Sequence, residues 1–144
     1  MTDPSANQIL YPLFAMFVLV AMVFVRLGRL RFGAVRSGQM SPGFYKTYDD
    51  GQEPENIRVV TRHFINLFEV PVLFHVVVIL AYVTHHASWP MVALAWAYVA
   101  IRYAHSYVHL TSNDVLLRFR CYFLSNLVLA SMWAGLFGLL LLNG

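Results

Sequence analysis

The stretch RHFINLFEVPVLFHVVVILAYV, residues Arg62–Val83, combines two properties that seldom occur together. Its second half is an almost unbroken apolar run, and with its flanks it is long enough to span a bilayer, which needs about 20 residues of helix. Its first half nevertheless carries an arginine, an asparagine and a glutamate. A charged side chain at membrane depth costs about 2.5–3.5 kcal/mol on insertion scales. We therefore expect these polar residues to face protein rather than lipid.

The composition of the whole chain agrees with a membrane protein. Of its 144 residues, 59% are apolar and only 12% are charged, whereas soluble domains contain about 25% charged residues. The net charge of +3 does not indicate a nucleic-acid partner, because the basic residues form no stripe with interleaved aromatics. The single cysteine, Cys121, excludes an intrachain disulfide.

Four segments are predicted to cross the membrane as helices, within one domain that covers residues 1–144. They lie at about residues 9–26, 60–84, 89–110 and 118–142, which predicts an all-α membrane protein built as a four-helix bundle. Pro90 falls in the first turn of the third helix, where its missing N–H costs little. Residues 27–57 are expected to form an irregular cytoplasmic loop. The first span is expected to be retained rather than cleaved as a signal peptide, because no Lys or Arg precedes it.

The basic residues predict the orientation of the four spans. All 10 Lys and Arg residues lie between the first two spans or near the connection between the last two. The N-terminal tail, the turn at residues 84–88 and the C-terminus contain none. The positive-inside rule places the basic side in the cytoplasm, so both termini are expected on the non-cytoplasmic side.

Helical periodicity gathers the polar residues of the spans into two stripes. Arg62, Asn66 and Glu69 follow an i, i+4, i+7 spacing and share one face. The second stripe lies on the third span and consists of Tyr98, Arg102, His105 and His109. Because both stripes lie at the same depth, we predict that they face one shared polar pocket. Arginines outnumber Glu69 there, so the expected ligand of this pocket is an anion.

Each of these residues also has a simpler interpretation. Arg62 and Arg118 can be snorkelling residues at helix ends, and polar residues within spans can serve only as interhelical hydrogen-bonding partners. His105 and His109 have the i, i+4 spacing of metal ligands, but no cysteine or further histidine lies nearby in the sequence, so no metal is expected. The remaining histidines are expected at helix ends or interfaces: His63, His75, His85 and His86.

With these motifs the chain resembles the MAPEG family, the membrane-associated proteins in eicosanoid and glutathione metabolism. The family's first motif is an Arg, an Asn four residues later, a Glu three further and then a Pro, found here as Arg62, Asn66, Glu69 and Pro71. The second, Arg-x-x-His-[Thr/Ser], is found at residues 102–106. The third is an Arg at the start of the fourth span with an aromatic residue one turn later, found here as Arg118 and Tyr122.

The resemblance implies a homotrimer that binds glutathione, as a cosubstrate, between adjacent subunits near the cytoplasmic face. Arg62, Asn66 and Glu69 would come from one subunit. The neighbouring subunit would supply Arg102, His105, His109, Arg118 and Tyr122. Of these residues, Arg118 is the implied catalytic residue, which stabilises the glutathione thiolate, and the others bind the tripeptide. The implied activity is that of a membrane-bound glutathione transferase or peroxidase, acting on hydrophobic electrophiles or lipid hydroperoxides reached from the membrane lipid.

Two departures from the family pattern leave other functions open. His109 stands where relatives often have a Tyr, and Phe119 stands where the prostaglandin synthase has a Ser, so prostaglandin synthesis is not predicted. The family also has members without catalysis. The alternative is therefore a non-catalytic lipid- or anion-binding membrane protein on the same scaffold. A third class is a metal-binding protein that uses His105 and His109.

Overall fold

The computed structural model describes residues 7–48 and 51–143. Expectations about the first six residues, the last residue and the acidic pair at 49–50 fall outside this part of the chain. The helices in chain order are α1 (Leu10–Arg36), α2 (Phe44–Thr47), α3 (Glu55–Leu67), α4 (Pro71–Val83), α5 (Trp89–Leu110) and α6 (Val115–Asn143). The described residues contain no strand, which confirms the predicted all-α class.

Within residues 7–48 and 51–143, three helical stretches are long and apolar enough to cross a membrane, judged by length and composition. They are Leu10–Arg36, Glu55–Val83 and Val115–Leu142. The other predicted span, residues 89–110, forms helix α5 and has Pro90 in its first turn as expected. It falls short of the same criterion because it carries several polar residues. These residues are buried in the bundle and are Arg102, His105, Ser106 and His109.

Helix α1 is longer than the first predicted span and continues to Arg36 instead of ending near Arg26. Because α3 begins at Glu55, residues 27–57 are helical at both ends, and the expectation of an irregular loop is wrong there. Leu27 and Ala34 are buried and continue the inward face of α1 past Arg26. Their packing explains why the helix extends beyond the predicted span. The helix ends at Arg36, and Gly38 two residues later has a φ of 73°, a left-handed conformation that glycine adopts without steric cost.

The segment between α1 and α3 is fastened to both helices. Arg31 on α1 donates from Nε to Glu53 Oε1 at 2.9 Å and from Nη2 to Thr61 Oγ1 on α3 at 3.2 Å. Thr61 in turn donates to the second oxygen of Glu53 at 2.7 Å. The rings of Tyr45 and Tyr48 lie 5.2 and 5.7 Å from the Arg31 guanidinium. This network holds the connecting segment over the adjoining parts of α1 and α3.

A break at residues 68–70 separates α3 from α4. Pro71 begins α4, a position where a helix has no need of the missing N–H, whereas inside a helix its ring would clash with the preceding turn. The last turn of α3 closes with a bond from the Phe68 N–H to the Ile65 carbonyl at 2.9 Å. Glu69 therefore lies in the break, outside regular helix.

Helix α5 is the centre of the bundle. It packs most extensively against α6 and also contacts α1 and α3. Its Tyr98 ring stacks on Phe74 of α4, with centroids 4.4 Å apart and planes at 10°, and both side chains are fully buried. Its Tyr103 hydroxyl donates to the Ala15 carbonyl of α1 at 2.8 Å. These contacts place the polar face of α5 between α3 and α6.

Candidate functional site

A cavity of about 490 Å³ is bounded by α3, α5 and α6, a volume within the usual range for small-molecule sites, about 300–1,000 Å³. Its wall combines cations, neutral polar groups and apolar side chains. The lining residues are Arg62, Ile65, Asn66, Glu69, His105, His109, Val115, Arg118, Phe119 and Tyr122. Of the eight residues that the sequence nominates for the site, all but Arg102 line this cavity.

Arg102 does not line the cavity but contacts a residue that does. Its Nη2 donates to Asn66 Oδ1 at 2.7 Å, and Asn66 Nδ2 donates to Glu69 Oε2 at 3.2 Å. Arg102 is fully buried, and its Nε has no hydrogen-bond partner among the described residues. A guanidinium group buried in protein is costly unless it is hydrogen-bonded. The two hydrogen bonds that link Arg102 to Asn66 and Asn66 to Glu69 therefore hold the α3 side of the cavity against α5.

The charges of the wall are not neutralised within the chain. Arg62 and Arg118 both line the cavity. In the part of the chain that the structure describes, the one carboxylate–cation pair within 4.0 Å is Arg31–Glu53, and neither residue lines this wall. Glu69 supplies the acidic side chain of the lining. The wall thus carries two guanidinium groups without a carboxylate partner among the described residues, together with one carboxylate, which suits a ligand with more negative than positive charges.

A third histidine belongs to this region, and the sequence predicts it at a helix end or an interface. His63 is fully buried, and its Nε2 lies 2.8 Å from Ser106 Oγ on α5. Its ring centroid is 4.8 Å from that of His109 and 5.6 Å from that of His105. His63 thus lies at the interface between α3 and α5. Its i, i+3 spacing to Asn66 was the available signal that it shares a helix face with the stripe.

The three histidines do not form a metal centre in this structure. Across residues 7–48 and 51–143, no group of three or more His, Cys, Asp or Glu side chains is arranged to hold a metal ion. His63 directs Nε2 to a serine hydroxyl instead. The hypothesis of a metal-binding protein based on His105 and His109 gains no support from this geometry.

Residues that the family resemblance assigns to adjacent subunits meet here within one chain. Arg62, Asn66 and Glu69 line the same cavity as His105, His109, Arg118 and Tyr122. The physical reason is that α3 packs directly on α5, through the Arg102–Asn66 and His63–Ser106 contacts, while α6 folds back along α5. Residues of both groups thus contribute to one wall within a single chain.

The comparisons with known proteins gave one finding. A sequence model of the MAPEG family matches residues 9–138, a range that runs from the start of α1 into α6 and includes every residue of the cavity wall. The comparisons with curated proteins and with solved structures found no match.

Proposed function

The chain belongs to the MAPEG family of membrane proteins, and from this premise we propose that it is a membrane-bound glutathione transferase or peroxidase. The observation that carries the proposal is the wall of the α3–α5–α6 cavity. There, two guanidinium groups without carboxylate partners lie with Glu69 and Asn66 around one small-molecule-sized space.

Glutathione matches the charges of this wall. It carries two carboxylates and one ammonium group at neutral pH. Arg62 supplies a planar donor for a carboxylate, and charge-assisted hydrogen bonds of this kind are about twice as strong as neutral ones. Glu69, held in the helix break by Asn66, supplies an acceptor for the ammonium. Arg102 keeps Asn66 in this position from behind the wall.

The reactive form of glutathione is its thiolate, and a free thiol of the cysteine type has a pKa of about 8.5. A fixed cation within about 4–6 Å lowers such a pKa by about 1–3 units, and each unit increases the thiolate fraction about tenfold at pH values well below the pKa. We assign this role to Arg118, which lines the cavity and lacks a carboxylate partner among the described residues. Tyr122, one turn later on the same wall, supplies a hydroxyl to the sulfur or to the substrate.

The second substrate would enter from the apolar part of the wall. Ile65, Val115 and Phe119 line the cavity beside the polar residues and are exposed at the surface of the chain. The Phe119 ring stacks on Phe123 one turn further along α6, with centroids 6.2 Å apart. This row of apolar side chains suits a hydrophobic electrophile or a lipid hydroperoxide that is dissolved in the bilayer.

We further propose that α5 is the remaining span of a four-span protein. Its 22 residues give a length of about 33 Å at 1.5 Å per residue, and the hydrocarbon core is about 30 Å thick. Its polar residues are buried against α3 and α6, so the outward face is apolar or aromatic. The exposed side chains of that face are Ala93, Trp96, Ala97, Ala100, Ala104 and Tyr107.

The positive-inside rule then places the cavity at the cytoplasmic side and both termini on the opposite side, because Arg62 and Arg118 lie at the cavity. The family resemblance supports a homotrimer. Native mass spectrometry of the protein in detergent tests the assembly, and cysteine labelling from each side of sealed vesicles tests the orientation.

Activity toward a small aromatic electrophile tests the function. We expect purified protein in lipid nanodiscs to conjugate glutathione to the electrophile, and Arg118→Ala to lower kcat/KM by about a hundredfold, as the loss of one charge-stabilising group does in other enzymes. Arg120→Ala is the matched control, since Arg120 is exposed on the same helix and does not line the cavity.

If glutathione binds but neither conjugation nor hydroperoxide reduction occurs, the enzyme proposal is wrong and the non-catalytic anion- or lipid-binding alternative holds. Equal activities of Arg118→Ala and Arg120→Ala would remove the role assigned to Arg118.

A further inference from the structure

Arg118 is held in place by a residue that does not line the cavity. Its Nη1 donates to Asn113 Oδ1 at 2.6 Å, and Asn113 lies in the turn between α5 and α6. The Arg118 side chain has no second hydrogen bond among the described residues, and its Nε is buried without a partner there. The position of the guanidinium in the cavity wall therefore depends on this single contact.

The turn that presents Asn113 is itself fixed. Asn113 has φ of 53°, and its N–H donates to the Val108 carbonyl at 2.8 Å. The next residue, Asp114, accepts a hydrogen bond from the Leu117 N–H at 2.7 Å and so caps the start of α6. A left-handed conformation is strained for most residues, and glycine, asparagine and aspartate tolerate it best. Within this set, only asparagine and aspartate also provide an oxygen for Arg118.

The choice between these two residues has an electrostatic consequence. An asparagine orients the guanidinium and leaves its charge uncompensated. An aspartate at the same place would put a carboxylate at salt-bridge distance and cancel much of the field at the cavity. The neighbouring carboxylate of Asp114 is engaged with the first turn of α6, where a helix N-terminus favours a negative charge.

We propose that Asn113 is a positioning residue that holds Arg118 at the cavity and, because it is neutral, keeps the full charge of Arg118 available to the thiolate. This role rests on the proposed glutathione-dependent function. Asn113 acts through Arg118 and does not itself touch the ligand.

The test measures the pKa of the thiol of bound glutathione, from the ultraviolet absorbance of the thiolate as a function of pH. Asn113→Asp keeps the turn and the hydrogen bond but adds a charge, and we expect it to raise that pKa by about one unit or more. Asn113→Gly keeps the turn but releases Arg118, and we expect the conjugation rate constant kcat to fall about tenfold or more with a smaller change in the KM for glutathione. Ser112→Ala, an exposed residue of the same turn, is the control and should match the unaltered protein.

The ionisable groups of the wall are the same in all these variants. Differences between the variants therefore reflect the substitution at position 113. Those groups are Arg62, Glu69, His105, His109, Tyr122 and Arg118 itself. Both Asn113 variants could keep the thiol pKa and the kcat of the unaltered protein while Arg118→Ala raises the pKa of the bound thiol. That result would refute the role of Asn113 and leave the proposed function standing. If the unaltered protein binds no glutathione, the proposed function is wrong and this role is wrong with it.

Discussion

Replacing Asn66 by alanine isolates the contact that joins the two predicted stripes. In the structure, Asn66 Oδ1 accepts the one hydrogen bond that the Arg102 side chain makes among the described residues, at 2.7 Å, and the arginine is fully buried. A hydrogen bond to a charged group contributes about 1.5–3 kcal/mol to stability, and a buried group that loses its partner also retains its desolvation cost. We expect Asn66→Ala to lower the free energy of unfolding by about 2–3 kcal/mol.

The measurement is denaturation of the protein in mixed micelles, followed by circular dichroism. The matched control is Asn56→Ala, which makes the same substitution on the same helix at an exposed position. A surface substitution of this kind usually changes stability by less than about 0.5 kcal/mol. The difference between the two variants therefore reports the environment of Asn66 rather than the loss of an asparagine.

A double-mutant cycle with Arg102→Met assigns the effect to the pair. Methionine removes the charge and keeps most of the volume, so Asn66→Ala should cost much less in this background, with a coupling energy of about 1–2 kcal/mol. If Asn66→Ala is as mild as Asn56→Ala, or if the cycle gives no coupling, Arg102 is stabilised by something other than Asn66. The description of the α3 wall would then be refuted.

Three further substitutions test the surroundings of the cavity by the same denaturation. Tyr98→Phe removes a buried hydroxyl that has no partner among the described residues, so stability should stay equal or rise by about 1 kcal/mol; a clear loss would reveal a partner. Ser106→Ala removes the group that lies 2.8 Å from His63 Nε2 and should cost about 1–2 kcal/mol, whereas no loss would show that this contact is unimportant. Glu53→Gln weakens the bonds to Arg31 and should cost about 1 kcal/mol and speed proteolysis between α1 and α3; unchanged cleavage would contradict the fastening of that segment.

Periodicity in the sequence grouped Arg62, Asn66 and Glu69 on one face, but of the second stripe only His105 and His109 line the cavity, whereas Tyr98 and Arg102 do not. Arg62, Asn66 and Glu69 do line one cavity, although Glu69 lies beyond the end of α3. Glu69 stays beside Asn66 because Asn66 Nδ2 donates a hydrogen bond to Glu69 Oε2 across the end of the helix, at 3.2 Å.

What the sequence did not predict depends on contacts between distant residues. The role of His63 follows from Ser106, 43 residues later in the chain, and no local pattern encodes that pairing. The extension of α1 past Arg26 is not evident from the sequence, because a cluster of basic residues is typical of a loop edge, whereas the buried face of the helix continues through Leu27 and Ala34. The cluster of Arg31 and Glu53 likewise requires tertiary packing.

The most direct test of the central claim is calorimetric titration of the purified protein in nanodiscs with glutathione. We expect saturable binding of glutathione. Arg62→Ala should raise the Kd about tenfold or more, the loss expected when one charge-assisted contact of about 1.5–3 kcal/mol is removed. Arg120→Ala should leave the Kd unchanged. Absence of saturable binding, or equal Kd values for the two variants, would contradict glutathione recognition by the cavity that Arg62 and Arg118 line.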